Sequence, residues 1–344
     1  MIDTIHFLSA WKVTRDHPDW EIRENKVVTA TGEPVDEGSL LVRHRKLKIR
    51  AKGSLTSRKL TFFSVPSLSQ LLFGQNGVPL NGQPDIDAAL EVLDRLFAQV
   101  AEPENGAKRR YKRVDMSLNL VNAPFERIEP VIQRAALPGS RLAVRHYVGE
   151  SLTFYRNQTE LQIYNKTKKA GADGLLDPTK HEQVTRMELR LHNDDLDREL
   201  ARSPGKGVQE LDIMDCYRVF RKHVMSLTDG NQEGIRVVPE ITGIDSYLAY
   251  VSTRDAGLFD AYVSTKSSDW QRQLKRKVAK LAPAMAEVPV NWDLVLPEGH
   301  PPAQTQIIVP GSMPGYLRPI VEEVLSSRGM GRGAHLLHDR HLER

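Results

Sequence analysis

Three segments of this chain alternate apolar and polar residues with a period of two, and the polar side of each carries a group able to do chemistry. In residues 161–166, Leu161 and Ile163 fall on one side of an expected strand and Tyr164 and Lys166 on the other. In residues 113–120 the apolar parity is Val114, Met116, Leu118 and Leu120, which leaves Arg113, Asp115, Ser117 and Asn119 opposite. In residues 186–191, Met187, Leu189 and Leu191 oppose Arg186, Glu188 and Arg190. If the three strands share one sheet and one core, Asp115, Tyr164 and Glu188 gather on a common polar surface. A phenol beside two carboxylates that could hold a divalent cation is a way to cut a phosphodiester. An unperturbed phenol ionises near pH ~10, so a neighbouring cation such as Lys166, or a metal, is needed to make it a nucleophile near neutrality.

The elements that must position these groups read as strands and helices in mixed order. Strands are expected at residues 2–8, 40–52 and 59–65, the second with Leu47 and Ile49 on one face and Lys46, Lys48 and Arg50 on the other. A short helix over 68–73 closes at Gly74, and Asp85 is a plausible N-cap for an amphipathic helix carried by Ile86, Ala89, Leu90, Leu93, Leu96, Phe97 and Val100. A second helix is expected from Pro124, through Ile128, Val131, Ile132 and Ala135, to Pro138-Gly139. Strands at 141–148, 151–156 and 159–166 follow, with Asn157-Gln158 as a tight turn between the last two. The fold class is therefore α+β, a largely antiparallel central sheet flanked by helices. Residues 203–207, Ser-Pro-Gly-Lys-Gly, mark the expected boundary between a 1–203 catalytic part and a mainly helical 208–344 part with a loose tail. The pentapeptide Ala-Tyr-Val-Ser-Thr occurs at 249–253 and at 261–265, read as chance or as two similar turns.

Composition sets outer limits. The 344 residues, 40% hydrophobic and 27% charged, suit a globular protein with a sizeable core. No apolar run approaches the ~18 residues that span a bilayer, and the start lacks the basic and apolar runs of a secretion signal, so cytoplasmic residence is expected. A single cysteine, Cys216, excludes an intrachain disulfide and a multi-cysteine zinc site. The net charge of +4 is mild but clustered. Residues 43–59 hold eight Lys or Arg and no acid, among them Arg43, Arg45, Lys46, Lys48 and Arg50. Lys108, Arg109, Arg110, Lys112 and Arg113 form a second cluster, and Arg272, Lys275, Arg276, Lys277 and Lys280 a third with helical spacing. Three such clusters favour a polyanionic partner, nucleic acid first.

Four motifs stand in order: Met1-Ile2-Asp3-Thr4-Ile5, Arg113-Val114-Asp115, Ile163-Tyr164-Asn165-Lys166 and Arg186-Met187-Glu188-Leu189-Arg190. Together they resemble the gene II/X replication initiators of filamentous phages, relatives in turn of rolling-circle plasmid initiators with an Arg-Ile-Asp, a Tyr-x-Lys and an Arg-x-Glu-x-(Arg/Lys) strand. Residues 66–76, ending Leu72-Phe73-Gly74-Gln75-Asn76, are similar to that family's segment ending Gly-His-Asn. The resemblance covers residues 1–200 and implies an enzyme that nicks one strand at an origin, keeps the 5′ phosphate on tyrosine and later rejoins the strand. It implies Tyr164 as nucleophile, with Asp115 and Glu188 near a Mg²⁺ or Mn²⁺ ion. Tyr155 is the runner-up nucleophile and Tyr217, on an expected helix, the third.

The chain departs from the family in lacking a His-hydrophobic-His pair, and Thr61-Phe62-Phe63-Ser64 offers no carboxylate. His44, on the parity of Lys46 and Lys48, or His146, on the parity of Leu142 and Val144, could complete the metal site. The implied partners are origin DNA, single-stranded or melted, and a host helicase or polymerase. A non-catalytic DNA-binding regulator and a mobilisation relaxase with the same chemistry are the alternatives. His335, His338 and His341 read as a tail rather than a metal cluster, and residues 329–333 lack the Lys-Ser/Thr of a phosphate loop.

Overall fold

The alternating segments pair into one sheet whose apolar side faces helices. The structure, a computed structural model, describes residues 1–28, 34–74, 80, 82–121, 125, 143–147, 150–172, 183–203, 205–226, 236–237, 244–281, 288–289, 296–302 and 315–330. Its strands are β1 (Ile2–Val13), β2 (Trp20–Val28), β3 (Pro34–His44), β4 (Arg50–Ser54), β5 (Lys59–Val65), β6 (Ala101–Pro103), β7 (Arg110–Val121), β8 (Ala143–Tyr147), β9 (Ser151–Arg156), β10 (Thr159–Asn165) and β11 (Val184–His192). All eleven join one sheet, in the order β2-β3-β4-β5-β1-β7-β11-β10-β9-β8, with β6 pairing β1, and every pairing is antiparallel. Two further short strands, β12 (Arg236–Val237) and β13 (Val288–Pro289), pair with each other.

The described helices are α1 (Leu68–Phe73), α2 (Gln83–Phe97), α3 (Lys166–Ala172), α4 (Asn193–Leu200), α5 (Ile213–Ser226), α6 (Ile244–Arg254), α7 (Ala256–Ser264), α8 (Ser268–Leu281) and α9 (Arg318–Ser327). The expected α+β class with a large antiparallel sheet and flanking helices is what the chain adopts.

Ring packing ties α2 to the sheet. Phe7 of β1 stacks on Phe63 of β5 with centroids 4.9 Å apart, and Phe97 of α2 meets Phe63 edge-on at 4.9 Å. Val114, Met116, Leu118, Leu161, Ile163, Met187 and Leu189 extend the same core across β7, β10 and β11. The core also takes in Leu211, Cys216, Phe220 and Val224 at α5 and Val321, Val324 and Leu325 of α9, so it draws on chain from both sides of residues 203–207. With the core face fixed, a one-residue slip would bury the wrong parity, and this pins the register of the three strands that matter.

Several boundaries differ from the sequence reading. The first strand runs on to Val13, and a register shift between Ile2 and Ile5 changes its parity on the way. Residues 40–52 form a hairpin rather than one strand. His44 N–H bonds Ile49 O at 2.9 Å to close it, and Lys48 takes φ 57. Leu47 and Ile49 stay buried through the turn, which is why the alternation ran on unbroken. The N-cap of α2 is Gly82, with Pro84 in its first turn, and Asp85 sits inside the helix. The helix expected over Pro124–Gly139 lies outside the described residues apart from Phe125, and the C-terminal histidines lie outside them too. Among the described residues no helix is long and apolar enough to cross a membrane.

Candidate functional site

The polar parities of β7, β11 and β10 form three rows across the sheet. Register sets Asp115, Arg190 and Glu160 side by side, then Ser117, Glu188 and Gln162, then Asn119, Arg186 and Tyr164. The tyrosine and the two acids that the sequence brought together do share this face.

They meet through arginines. Tyr164 Oη donates to Glu188 Oε2 at 3.3 Å, and Arg190 Nε donates to Glu188 Oε1 at 2.8 Å. The same Arg190 Nε lies 3.7 Å from Asp115 Oδ2, and its other nitrogens reach Glu160 and Gln162. Arg113 grips Asp115 with both arms, Nε to Oδ1 at 2.7 Å and Nη2 to Oδ2 at 2.6 Å. Arg186 donates to Ser117 Oγ at 2.5 Å and to Asp3 at 3.1 Å, while its Nε is buried with no partner among the described residues.

This polar network is interior. Asp115 is 1% exposed, Tyr164 5% and Glu188 6%. Tyr164 belongs to neither apolar cluster; its surroundings are charged. Burial pushes the phenol well above its ordinary value, against the pull of Arg186, so the hydroxyl keeps its proton and offers it to Glu188. Burial also works to raise Glu188, but Arg190 and Arg186 outweigh it and hold that carboxyl below its usual range. Asp115 is lifted by burial to about 6 in spite of Arg113.

Lys166 is not on the open face of a strand. Strand β10 ends at Asn165, whose Oδ1 accepts from Lys168 N–H at 2.8 Å as an N-cap does, and Lys166 opens α3. It is buried, it makes no ion pair among the described residues, and burial followed by Arg186 brings its pKa down to about 8. Lys169, one turn on, stands over the Tyr164 ring at 4.8 Å. Arg186 and Lys169 thus bring positive charge to the phenol, and Glu188 and Asp3 oppose it.

The other expected ligands stand elsewhere. His44 shares the buried parity of Leu40 and Val42, not that of the lysines, because the chain turns immediately after it. Its Nδ1 accepts from Leu47 N–H at 3.2 Å and its ring packs against Trp20 at 4.9 Å. Three strands, β4, β5 and β1, separate it from Asp115, roughly 19 Å at ~4.8 Å per strand step. His146 occupies the β8 position opposite Leu152, at the far edge of the sheet from β7, and its side chain lies outside the described residues. Tyr155 is opposite Glu160 with Arg145 over its ring at 5.3 Å, two rows from Tyr164.

A divalent cation does not fit the site as it is built. Both oxygens of Asp115 are taken by Arg113, and those of Glu188 by Arg190 and Tyr164. Among the described residues no group of three His, Cys, Asp or Glu side chains is placed to hold a metal ion.

The basic clusters separate into two kinds. Arg109 pairs with Asp94 and lies over the Phe7 ring, Arg110 pairs with Asp197, and Arg113 pairs with Asp115, so three of the five cations in that cluster hold the fold together. Lys108 is exposed and Lys112 half-buried. Arg43, Arg45, Lys46, Lys48 and Arg50 are all exposed at the β3–β4 hairpin; Lys46 lies 3.7 Å from Asp19, and the other four make no ion pair among the described residues.

Arg43 faces Arg50 across the pair, and the same row continues through Ser64 and His6 to Arg113 and His192. Burial, then Arg113, His192 and Arg50, lowers His6 to about 4. His192 is lowered by burial and by Arg113 and Arg190. The sequence reading missed His6, His192, Asp3, Glu160 and Lys169. His6 could have been found only by knowing that β1 changes parity.

No protein-family model and no curated protein matches the chain. Among solved structures it is similar to a rolling circle replication initiator protein from Geobacillus stearothermophilus, at 10% identity and a TM-score of 0.31, over 84% of this chain and 98% of that one. So distant a likeness transfers no chemistry, which rests on the geometry above.

Proposed function

We propose that this protein is a nicking and strand-joining initiator of DNA replication, with Tyr164 as its nucleophile. The observation that carries the reading is the phenol held against Glu188 at 3.3 Å, with Arg186 acting on it and Lys169 over its ring. A phosphodiester entering there would be drawn by those cations, which oppose the charge that grows on its oxygens in the transition state. Tyr164 Oη attacks phosphorus as its proton passes to Glu188. The bond to the 3′ oxygen breaks, that oxygen takes a proton from Lys166, and the 5′ phosphate stays on tyrosine. In the reverse direction a 3′ hydroxyl attacks the phosphotyrosine and reseals the strand, so joining needs no outside energy source.

The row from Arg43 and Arg50 through His6 supports a path for the DNA backbone toward the site. The Mg²⁺ or Mn²⁺ implied by the phage-initiator resemblance would have to displace Arg113 from Asp115 before it found a ligand, and no step here is assigned to it.

The burial of Tyr164, and the pairing of every acid around it, favour a second reading as a DNA-binding regulator without catalysis. One experiment separates the two. The protein is incubated with labelled single-stranded origin DNA, with Mn²⁺ and separately with chelator, and run on a denaturing gel. A covalent adduct that is lost in Tyr164→Phe and kept in Tyr155→Phe is the expected result. A mobility shift on a native gel, with no adduct under either condition, makes it a regulator.

A further inference from the structure

The third basic cluster lies far along the chain from the tyrosine, in a small unit with a core of its own. Helices α6, α7 and α8 enclose Leu248, Ala249, Phe259, Val263, Leu274 and Val278, with Val251 and Leu281 packed against them, and none of these residues belongs to the main core. Asp255 caps α7 by accepting from Leu258 N–H at 2.9 Å, and the three residues 265–267 turn the chain into α8. The two copies of Ala-Tyr-Val-Ser-Thr close α6 and α7, and their valines, Val251 and Val263, both serve this core.

Only Leu274 and Val278 of α8 are buried. At 100° per residue, Arg272, Arg276 and Lys280 fall on the opposite side of the helix, with Lys275 beside them. All four are exposed. Lys277, nearer the core face, is held by Asp245 of α6 at 3.1 Å, and Lys275 reaches Asp260 of α7 at 3.3 Å. Arg276 and Lys280 make no ion pair among the described residues, and Arg272 has only Asp269 at 3.9 Å.

We propose that α8 is a recognition helix for duplex DNA, a second nucleic-acid site that works by lying in the major groove. A helix of 14 residues is ~21 Å long and ~10–12 Å across with its side chains, which suits a groove ~12 Å wide. Two helices joined by a short turn, with a third packed on both, is the connectivity of helix-turn-helix readers. A single strand would need open aromatic faces for its bases. Here Tyr262 and Trp270, each 38% exposed, meet edge to face at 71° rather than side by side as a stacking platform, and the Lys266 ammonium lies over both rings at 4.9 and 5.6 Å. That corner braces the turn ahead of α8 and leaves Lys266 beside the helix start, placed for a backbone phosphate.

The test uses the full chain carrying Tyr164→Phe, so that cleavage plays no part and the result stands whether or not the nicking reading does. Binding of a short mixed-sequence DNA duplex is followed by fluorescence anisotropy over a salt series, with the same-length single strand and an RNA duplex alongside. Replacing Arg272, Arg276 and Lys280 together by Ala is expected to weaken duplex DNA binding by roughly tenfold or more, and to reduce the slope of log affinity against log salt by about two to three. Single-stranded DNA and the RNA duplex, whose major groove is too deep and narrow for a helix, should change little. The thermal melt should not move, because all three side chains are exposed. Arg276→Glu alone gives the same comparison with a single change. The proposal is overturned if the unsubstituted helix gives no salt-dependent duplex binding, if duplex affinity survives the substitutions, or if single strand or RNA loses as much.

Discussion

Replacing Glu188 with Gln separates two jobs, pairing with Arg190 and, in the proposed mechanism, taking the phenol proton. It accepts from Arg190 at 2.8 Å and from Tyr164 at 3.3 Å, at a position 6% exposed. A hydrogen bond to a charged group contributes about 1.5–3 kcal/mol. Arg190 keeps Glu160 and Gln162, with Asp115 at 3.7 Å, and the new amide oxygen still accepts one bond. The stability loss should therefore stay near the low end, about 1–2 kcal/mol, read as a lower urea midpoint at an unchanged m-value. Glu188→Ala removes both acceptors and leaves more buried positive charge uncompensated, so about 3 kcal/mol or more is expected. The chemistry should respond on another scale. Without a base for the phenol proton, the rate of adduct formation should fall by about 10²–10⁴ in the Gln variant. The assay is a time course of covalent adduct on single-stranded origin DNA, run beside the urea melts. A Glu188→Gln protein that is folded and forms adduct at the parent rate would falsify the assignment of Glu188 as the base.

Three further outcomes can be measured. Lys166 titrates at about 8 where an unburied lysine does so at 10.5, so it carries its charge only below about pH 8. Adduct formation should fall as pH rises through about 8, and Lys166→Arg should move that fall to higher pH; an unchanged profile would remove Lys166 from the step. The stability sign runs the other way, because between pH 8 and 10.5 the unfolded chain holds the proton and the folded one does not. Stability therefore rises across that window, and Lys166→Met should flatten the rise. At Gly53 an added Cβ would lie 1.8 Å from Lys59 O, beside the register shift between β4 and β5. Gly53→Ala should cost about 2–3 kcal/mol in a urea melt as the two strands separate, and a melt unchanged by the substitution would mean that this pair does not approach so closely in solution.

The faces were legible in the sequence and the neighbours were not. Period-two alternation assigned Val114, Met116, Ile163 and Leu189 to a core, and register then carried Asp115, Tyr164 and Glu188 to the other side together. Parity says nothing about which charge sits beside which. That depends on the strand order β7-β11-β10, which places Arg190 between Asp115 and Glu160. His44 was misplaced because its parity was counted through a turn that keeps the alternation while reversing the chain. Arg109 and Arg110 read as a phosphate-binding run because their partners, Asp94 and Asp197, come from helices outside the run, α2 and α4.

A polar parity on an ordinary antiparallel sheet faces water, and single charges there need no partner. Here the same parity is enclosed, with Asp115, Ser117, Asn119, Arg186 and Glu188 all buried. Enclosing a lone carboxylate or guanidinium costs several kcal/mol, so such a face persists only if acids and cations alternate on it closely enough to pair. Arg186-x-Glu188-x-Arg190 meets that condition within one strand, and Arg113-x-Asp115 repeats it on the next. On β7 and β11 an acid flanked two residues away by arginine thus marks a buried charged face, although Glu21 and Arg23 of β2 pair in the same way on an exposed one. On that reasoning the arginines belong to the site as fully as the phenol does. In the proposed mechanism an entering phosphate would exchange places with Glu188 or Asp115 as the arginines' anionic partner, leaving Glu188, which already accepts from Tyr164 Oη at 3.3 Å, to take the tyrosine's proton.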